Sequence, residues 1–143
     1  MLSGFIYDLA STHGGLLVGL EHRFYGDSLP FANLTSDNLR YLTAPQATMD
    51  LQRFLTELIE SPGTFYNSSS ANGMAQGGLK RPVITIGGSY PAVLSAEMRL
   101  KFPELIAGSL ASSAPMHKTT HFFEYNAIGE SAAARYPLLI HDC

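Results

Sequence analysis

The sequence is short of cysteine, of charge and of long apolar runs. One cysteine, Cys143, stands in 143 residues. A single thiol makes neither an internal disulfide nor a cysteine zinc site. Charged residues make up 15% of the chain and the net charge is -3. A dedicated nucleic-acid binder needs a basic excess to neutralise phosphates, so that class is excluded. No apolar stretch approaches the ~18 residues that span a bilayer. Residues 1–10 lack the basic and apolar segments of a secretory signal. What remains is 45% hydrophobic, enough for a folded core and too much for a disordered chain. The length allows one domain.

Two features point to a larger protein. Asn33-Leu34-Thr35 and Asn67-Ser68-Ser69 fit the N-glycosylation acceptor pattern, which belongs to secreted chains. The alternative is a polar surface loop at each. Cys143, at the very last position, reads as half of a disulfide whose partner lies beyond it.

The periodicity predicts alternating elements. Apolar residues over 4–11 fit a helix stopped by Gly14-Gly15. Leu16-Leu17-Val18-Gly19-Leu20 is a continuous apolar run, the form of a strand buried on both faces. Thr43-Ala44-Pro45-Gln46 has the capping-box form. Leu51, Phe54, Leu55, Leu58 and Ile59 then make the stripe of a helix lying on a sheet. Residues 61–78, rich in Ser, Asn and Gly, predict an exposed loop. Strands are expected at 82–86 and 105–111, with a helix at 92–101 between them and another at 121–136. This order predicts an α/β fold, a parallel sheet with helices on both faces.

Ligands of such sheets bind at the carboxyl ends of the strands. Three segments fall there: residues 21–26, 87–91 and 112–115. The middle one, Gly87-Gly88-Ser89-Tyr90-Pro91, has the layout of a nucleophile elbow, with Pro91 in place of its last glycine. A tight turn lifts the Ser89 hydroxyl above the sheet, and the following helix directs the Tyr90 amide at a developing oxyanion. Proline costs nothing there, because the first N–H groups of a helix lack partners. The competing interpretation is a helix-capping serine.

The other polar residues read as structural. Glu21 and Arg23 form an expected ion pair that fixes the loop, with Gly26 supplying an unusual turn. His22 precedes the serine, whereas hydrolases of this type take their histidine after it. His117 and His121 lack the glutamate of a zinc motif and read as surface residues. His141-Asp142 is an adjacent pair that rarely points into one site. Ser109, Ser112 and Ser113 read as packing and turn residues.

Together these segments carry a resemblance. Residues 21–31, Glu-His-Arg-Phe-Tyr-Gly-Asp-Ser-Leu-Pro-Phe, resemble a stretch of the serine peptidase family that includes lysosomal Pro-X carboxypeptidase, dipeptidyl peptidase II and thymus-specific serine protease. Leu42-Thr43, Gln46-Ala47 and Asp50-Leu51 look like its helix before the nucleophile strand. Gly87-Gly88-Ser89-Tyr90, Arg99-Leu100-Lys101-Phe102-Pro103 and residues 107–115 resemble its nucleophile region. Ala92 stands where the family usually has glycine, and Glu97, expected to face solvent, where an aromatic is common.

The resemblance implies an α/β-hydrolase core over 1–116 and the start of a helical cap over 117–143. It implies a serine exopeptidase that cleaves near proline, as a carboxypeptidase or a dipeptidyl peptidase, in lysosomes or outside the cell. Ser89 matches the nucleophile and Tyr90 the oxyanion amide. The triad Asp and His lie downstream of residue 143, so this chain alone is expected to be inactive. Cys143 matches a cap cysteine that pairs later in the chain. No metal or cofactor is called for, and oligomerisation is left open. An esterase-like or lipase-like hydrolase and a non-catalytic binding protein are the alternatives.

Overall fold

The computed structural model describes residues 4–60, 82–117 and 119–135. Helix α1 (Phe5–Thr12) is followed by α2 (Ser36–Leu39) and α3 (Ala44–Glu60). Then come strand β1 (Val83–Gly88), α4 (Tyr90–Lys101), β2 (Ile106–Ser112) and α5 (Phe123–Arg135). The predicted loop at 61–78 lies outside the described residues.

Helix α1 ends where the sequence predicts. The Gly15 N–H reaches back to the Ala10 carbonyl at 2.7 Å while Gly14 adopts φ +59°. That left-handed conformation is the one glycine adopts without a Cβ penalty. The next expectation fails. Residues 16–20 form no strand, and Leu16, Leu17, Val18 and Leu20 are 41–47% exposed. An apolar run suits a buried strand, but a strand needs a neighbour to take its backbone hydrogen bonds. Among the described residues none is beside this one.

The sequence pattern predicts no element at 36–39. There Thr35 caps α2, its Oγ1 accepting from the Asn38 N–H at 3.3 Å. At α3 the expected capping box is half made. Thr43 Oγ1 accepts the Gln46 N–H at 3.4 Å, but the Gln46 side chain turns to Arg23 instead. An ionised donor makes the stronger hydrogen bond.

The core lies where α4 crosses β1 and β2. The strands pair in parallel, Thr85 opposite Ser109 and Gly87 opposite Ala111, with an irregularity between Val83 and Ile84. Ala92, Met98 and Ile106 are fully buried, and Val93 and Leu94 nearly so. Burying each large apolar side chain contributes about 1.5–3 kcal/mol. Ser95 brings a polar group into this core and satisfies it, bonding Thr85 Oγ1 at 2.9 Å and Ser109 Oγ at 2.8 Å. Ser109, itself exposed, joins this network from β2. Helix α4 stops at Phe102, which turns to φ -129°, ψ 60° ahead of Pro103.

Two expectations about the layers are corrected. Helix α3 packs against α4, with Thr48 Oγ1 donating to the Glu97 carboxylate at 3.2 Å. Glu97, also bonded to Lys101, is therefore not turned to solvent; its side chain is 17% exposed. Among the described residues the sheet is covered by α4 on one face. Ile84, on the other face, is 59% exposed, where helices on both faces were predicted. Helix α5 falls within the predicted span, and Phe123, Tyr125 and Ile128 on it are 71–73% exposed.

Candidate active site

The three segments predicted at the carboxyl end of the sheet come together. Strand β1 runs through Gly87 and Gly88 into Ser89, and α4 starts at the next residue. Gly87 makes the sharp turn feasible. A Cβ there would strike the Pro91 carbonyl and lie 2.6 Å from the Ala92 nitrogen. Gly88 is different, with open space around its own Cβ position. The helix thus approaches the strand over one glycine. Ala92 is fully buried on α4.

Ser89 sits at φ 58°, ψ -125°, a conformation rare for a side chain larger than glycine. Its N–H donates to the Ser112 carbonyl at 2.9 Å, joining the turn to the end of β2. Its carbonyl accepts from the Ala92 N–H at 3.0 Å. The hydroxyl makes no capping bond to α4 and has no hydrogen-bond partner among the described residues. Ser89 is exposed, so the hydroxyl faces solvent at the helix N-terminus. Beyond β2, Ser113 is another non-glycine residue at positive φ, +55°, consistent with its turn role.

The first segment closes over this turn from the side. His22 Nδ1 lies 2.7 Å from the Arg23 carbonyl and Nε2 lies 3.1 Å from the Tyr90 hydroxyl. The His22 ring stands edge-on to both Tyr25 and Tyr90, with centroids 5.3 and 5.6 Å away. Partial burial, then the nearby Tyr25 and Glu97, raise the Tyr90 phenol above its ordinary range.

Glu21 and Arg23 each fix the loop, but not through each other as expected. The Glu21 carboxylate accepts from the Asp27 and Ser28 N–H groups at 3.1 and 2.9 Å. The bond with the Ser28 side chain is the main cause that holds this carboxyl below its ordinary value; desolvation opposes it, and the backbone donors add to it. Gly26, at φ +54°, leaves room for the carboxylate; a Cβ there would collide with it. Arg23 instead reaches α3. It grips both oxygens of Asp50 at 2.6 and 2.7 Å, the Gln46 amide oxygen at 2.7 Å and the Tyr41 carbonyl at 2.9 Å. Asp50, through hydrogen bonding and charge, holds the guanidinium above its usual range. Gln46 and Asp50 are one helical turn apart, and that i,i+4 spacing is the signal that could have paired them with one arginine.

An open groove of about 590 Å³ lies on the other side of the loop, lined by Leu20, Arg23, Ser28, Phe31, Asp50 and Phe54 among others. No residue of the Ser89 turn lines it. Asn33 is exposed and its carbonyl accepts from the Asn38 amide. His117 and His121 are exposed and precede α5, so they do not share a helix face. Asn67, His141, Asp142 and Cys143 lie outside the described residues. Among the described residues no three His, Cys, Asp or Glu side chains are grouped to hold a metal ion, and no helix is long and apolar enough to cross a membrane.

A parallel strand pair under a helix, with an exposed serine at positive φ between strand and helix, defines an α/β protein with an elbow-shaped turn. The chain belongs to the serine carboxypeptidase S28 family, whose model matches residues 1–138. It is 42% identical over 139 residues to the protein named "Probable serine protease EDA2" of Arabidopsis thaliana, covering 96% of this chain and 27% of that one. It is 40% identical over 118 residues to lysosomal Pro-X carboxypeptidase of Mus musculus, covering 80% and 21%. With thymus-specific serine protease of Homo sapiens it shares 40% over 120 residues, covering 84% and 21%. The chain thus spans about a fifth to a quarter of the length of these curated relatives.

Proposed function

We propose that this chain carries the nucleophile of a serine-type exopeptidase on an α/β-hydrolase fold. The observation that carries the reading is Ser89 itself, whose hydroxyl is exposed and uncapped on a turn at φ 58°. A serine held only for capping has no need of that conformation. Ser89 Oγ attacks the scissile carbonyl carbon as a histidine takes its proton. The amine leaves with that proton, and water then releases the acyl group from Ser89. The Tyr90 amide, at the N-terminus of α4, donates to the oxyanion.

The Asp and His of the triad belong to sequence beyond these 143 residues, and residues 117–143 begin a helical cap over the core at 1–116. The substrate is a peptide with proline near the scissile bond, as the name of the mouse relative suggests, and both carboxypeptidase and dipeptidyl peptidase cleavage fit. The compartment is the lysosome or the cell exterior, where Asn33 and Asn67 would carry glycans and Cys143 a disulfide.

A fluorophosphonate probe tests this reading. In the full-length protein it should label Ser89, and Ser89→Ala should abolish both labelling and hydrolysis of prolyl peptides. The isolated 143-residue chain should label at least about a hundredfold more slowly, because a triad serine without its base loses most of its rate. An active Ser89→Ala variant would overturn the assignment.

A further inference from the structure

We infer that His22 is a positioning residue for the reaction proposed at Ser89, acting through the Tyr90 side chain; the inference rests on that reading of Ser89. The Arg23 carbonyl can only accept, so the His22 Nδ1 at 2.7 Å from it carries the hydrogen. In the neutral ring Nε2 is then a bare acceptor, and the Tyr90 hydroxyl at 3.1 Å donates to it. Both ring nitrogens are therefore occupied, and neither is left to serve Ser89 as a base.

The anchor behind His22 is firm. The carbonyl it bonds belongs to Arg23, whose side chain is held on α3 by Asp50, Gln46 and the Tyr41 carbonyl. A continuous line of contacts thus runs from α3 through Arg23 and His22 to Tyr90, the residue after the nucleophile. Tyr90 is 40% exposed and would otherwise exchange rotamers freely beside the reacting centre. Edge-on packing against His22, whose ring also meets Tyr25 edge-on, restricts it further. Fixing a side chain before the substrate arrives removes an ordering cost from the reaction.

The test uses the full-length protein and two readouts: the fluorophosphonate labelling rate at Ser89, and kcat and KM on a prolyl peptide. His22→Leu keeps bulk and removes both nitrogens. It should lower labelling and kcat about tenfold, the rate equivalent of one hydrogen bond, with KM little changed. His22→Gln places an amide oxygen near the Nε2 position and should recover most of that loss. Tyr90→Phe should match His22→Leu, and the double variant should be no slower than either, because both changes cut one contact. Full additivity in the double variant, or wild-type rates in Tyr90→Phe, would overturn the inference even if His22→Leu fails to fold. An unlabelled Ser89 in an active wild-type peptidase removes the nucleophile reading and this inference together. A labelled wild type with unaffected variants removes this one alone.

Discussion

Two loops meet at the carboxyl end of the sheet, and they are held by opposite means. The Ser89 turn is fixed by steric closeness: a glycine under a helix, a strained backbone and one hydrogen bond to β2. The loop at residues 21–28 is fixed by charged side chains that reach backbone N–H groups and α3. Packing is indifferent to pH and salt, whereas carboxylate hydrogen bonds are not. A sterically fixed Ser89 turn thus sits beside a loop whose order depends on ionisation, and His22 and Tyr90 join the two.

The largest effect should come from the steric side. In Gly87→Ala the new methyl meets the Pro91 carbonyl, which is backbone and cannot swing aside. A loss of about 3 kcal/mol in denaturant unfolding is expected, the upper range for overpacking. Gly88→Ala, with open space at its Cβ, should stay within about 0.5 kcal/mol. Equal losses at the two glycines would break the claim that the turn is built on close approach at one of them.

Next in size is the charged side. Arg23→Ala strips the loop from α3 and leaves Asp50 and Gln46 without their partner. Asp50 is 43% exposed, so water compensates part of the loss and about 2 kcal/mol is expected. Arg23→Lys should recover little, since a single ammonium cannot bridge two carboxylate oxygens, an amide and a carbonyl together. Full recovery by lysine in thermal unfolding would show that charge alone holds the loop.

The steric side was the more legible in sequence, and the reason is physical. A glycine turn between an apolar strand and a helix is local, and its signals lie within a few residues of Ser89. The partners of Arg23 are 18–27 positions away, and nothing in a local window names them. The failure of the strand expected at residues 16–20 and the success of the one expected at 82–86 make the same point. Both runs are built of apolar or β-branched residues. The second has β2 beside it and α4 over it, while among the described residues the first has neither. Hydrophobic patterning says that a segment can be buried, not what will bury it. Glu97 makes the same point, since its Thr48 partner stands 49 positions away.

The smallest effect should separate the two loops by pH. Glu21 is held below its ordinary value of 4.5, so the folded loop favours the ionised carboxylate. A depressed carboxyl contributes stability that is present above its unfolded value and lost as pH falls through the folded one. The Asp27 and Ser28 amides, which donate to that carboxylate, should lose hydrogen-exchange protection below about pH 4.5, after correction for intrinsic rates. The Ser89 amide, bonded to the Ser112 carbonyl, should not follow in that step. Glu21→Gln should weaken the protection of residues 27 and 28 and remove its dependence on pH. If Ser89 loses protection together with Asp27 and Ser28, the elbow is not independent of the loop beside it.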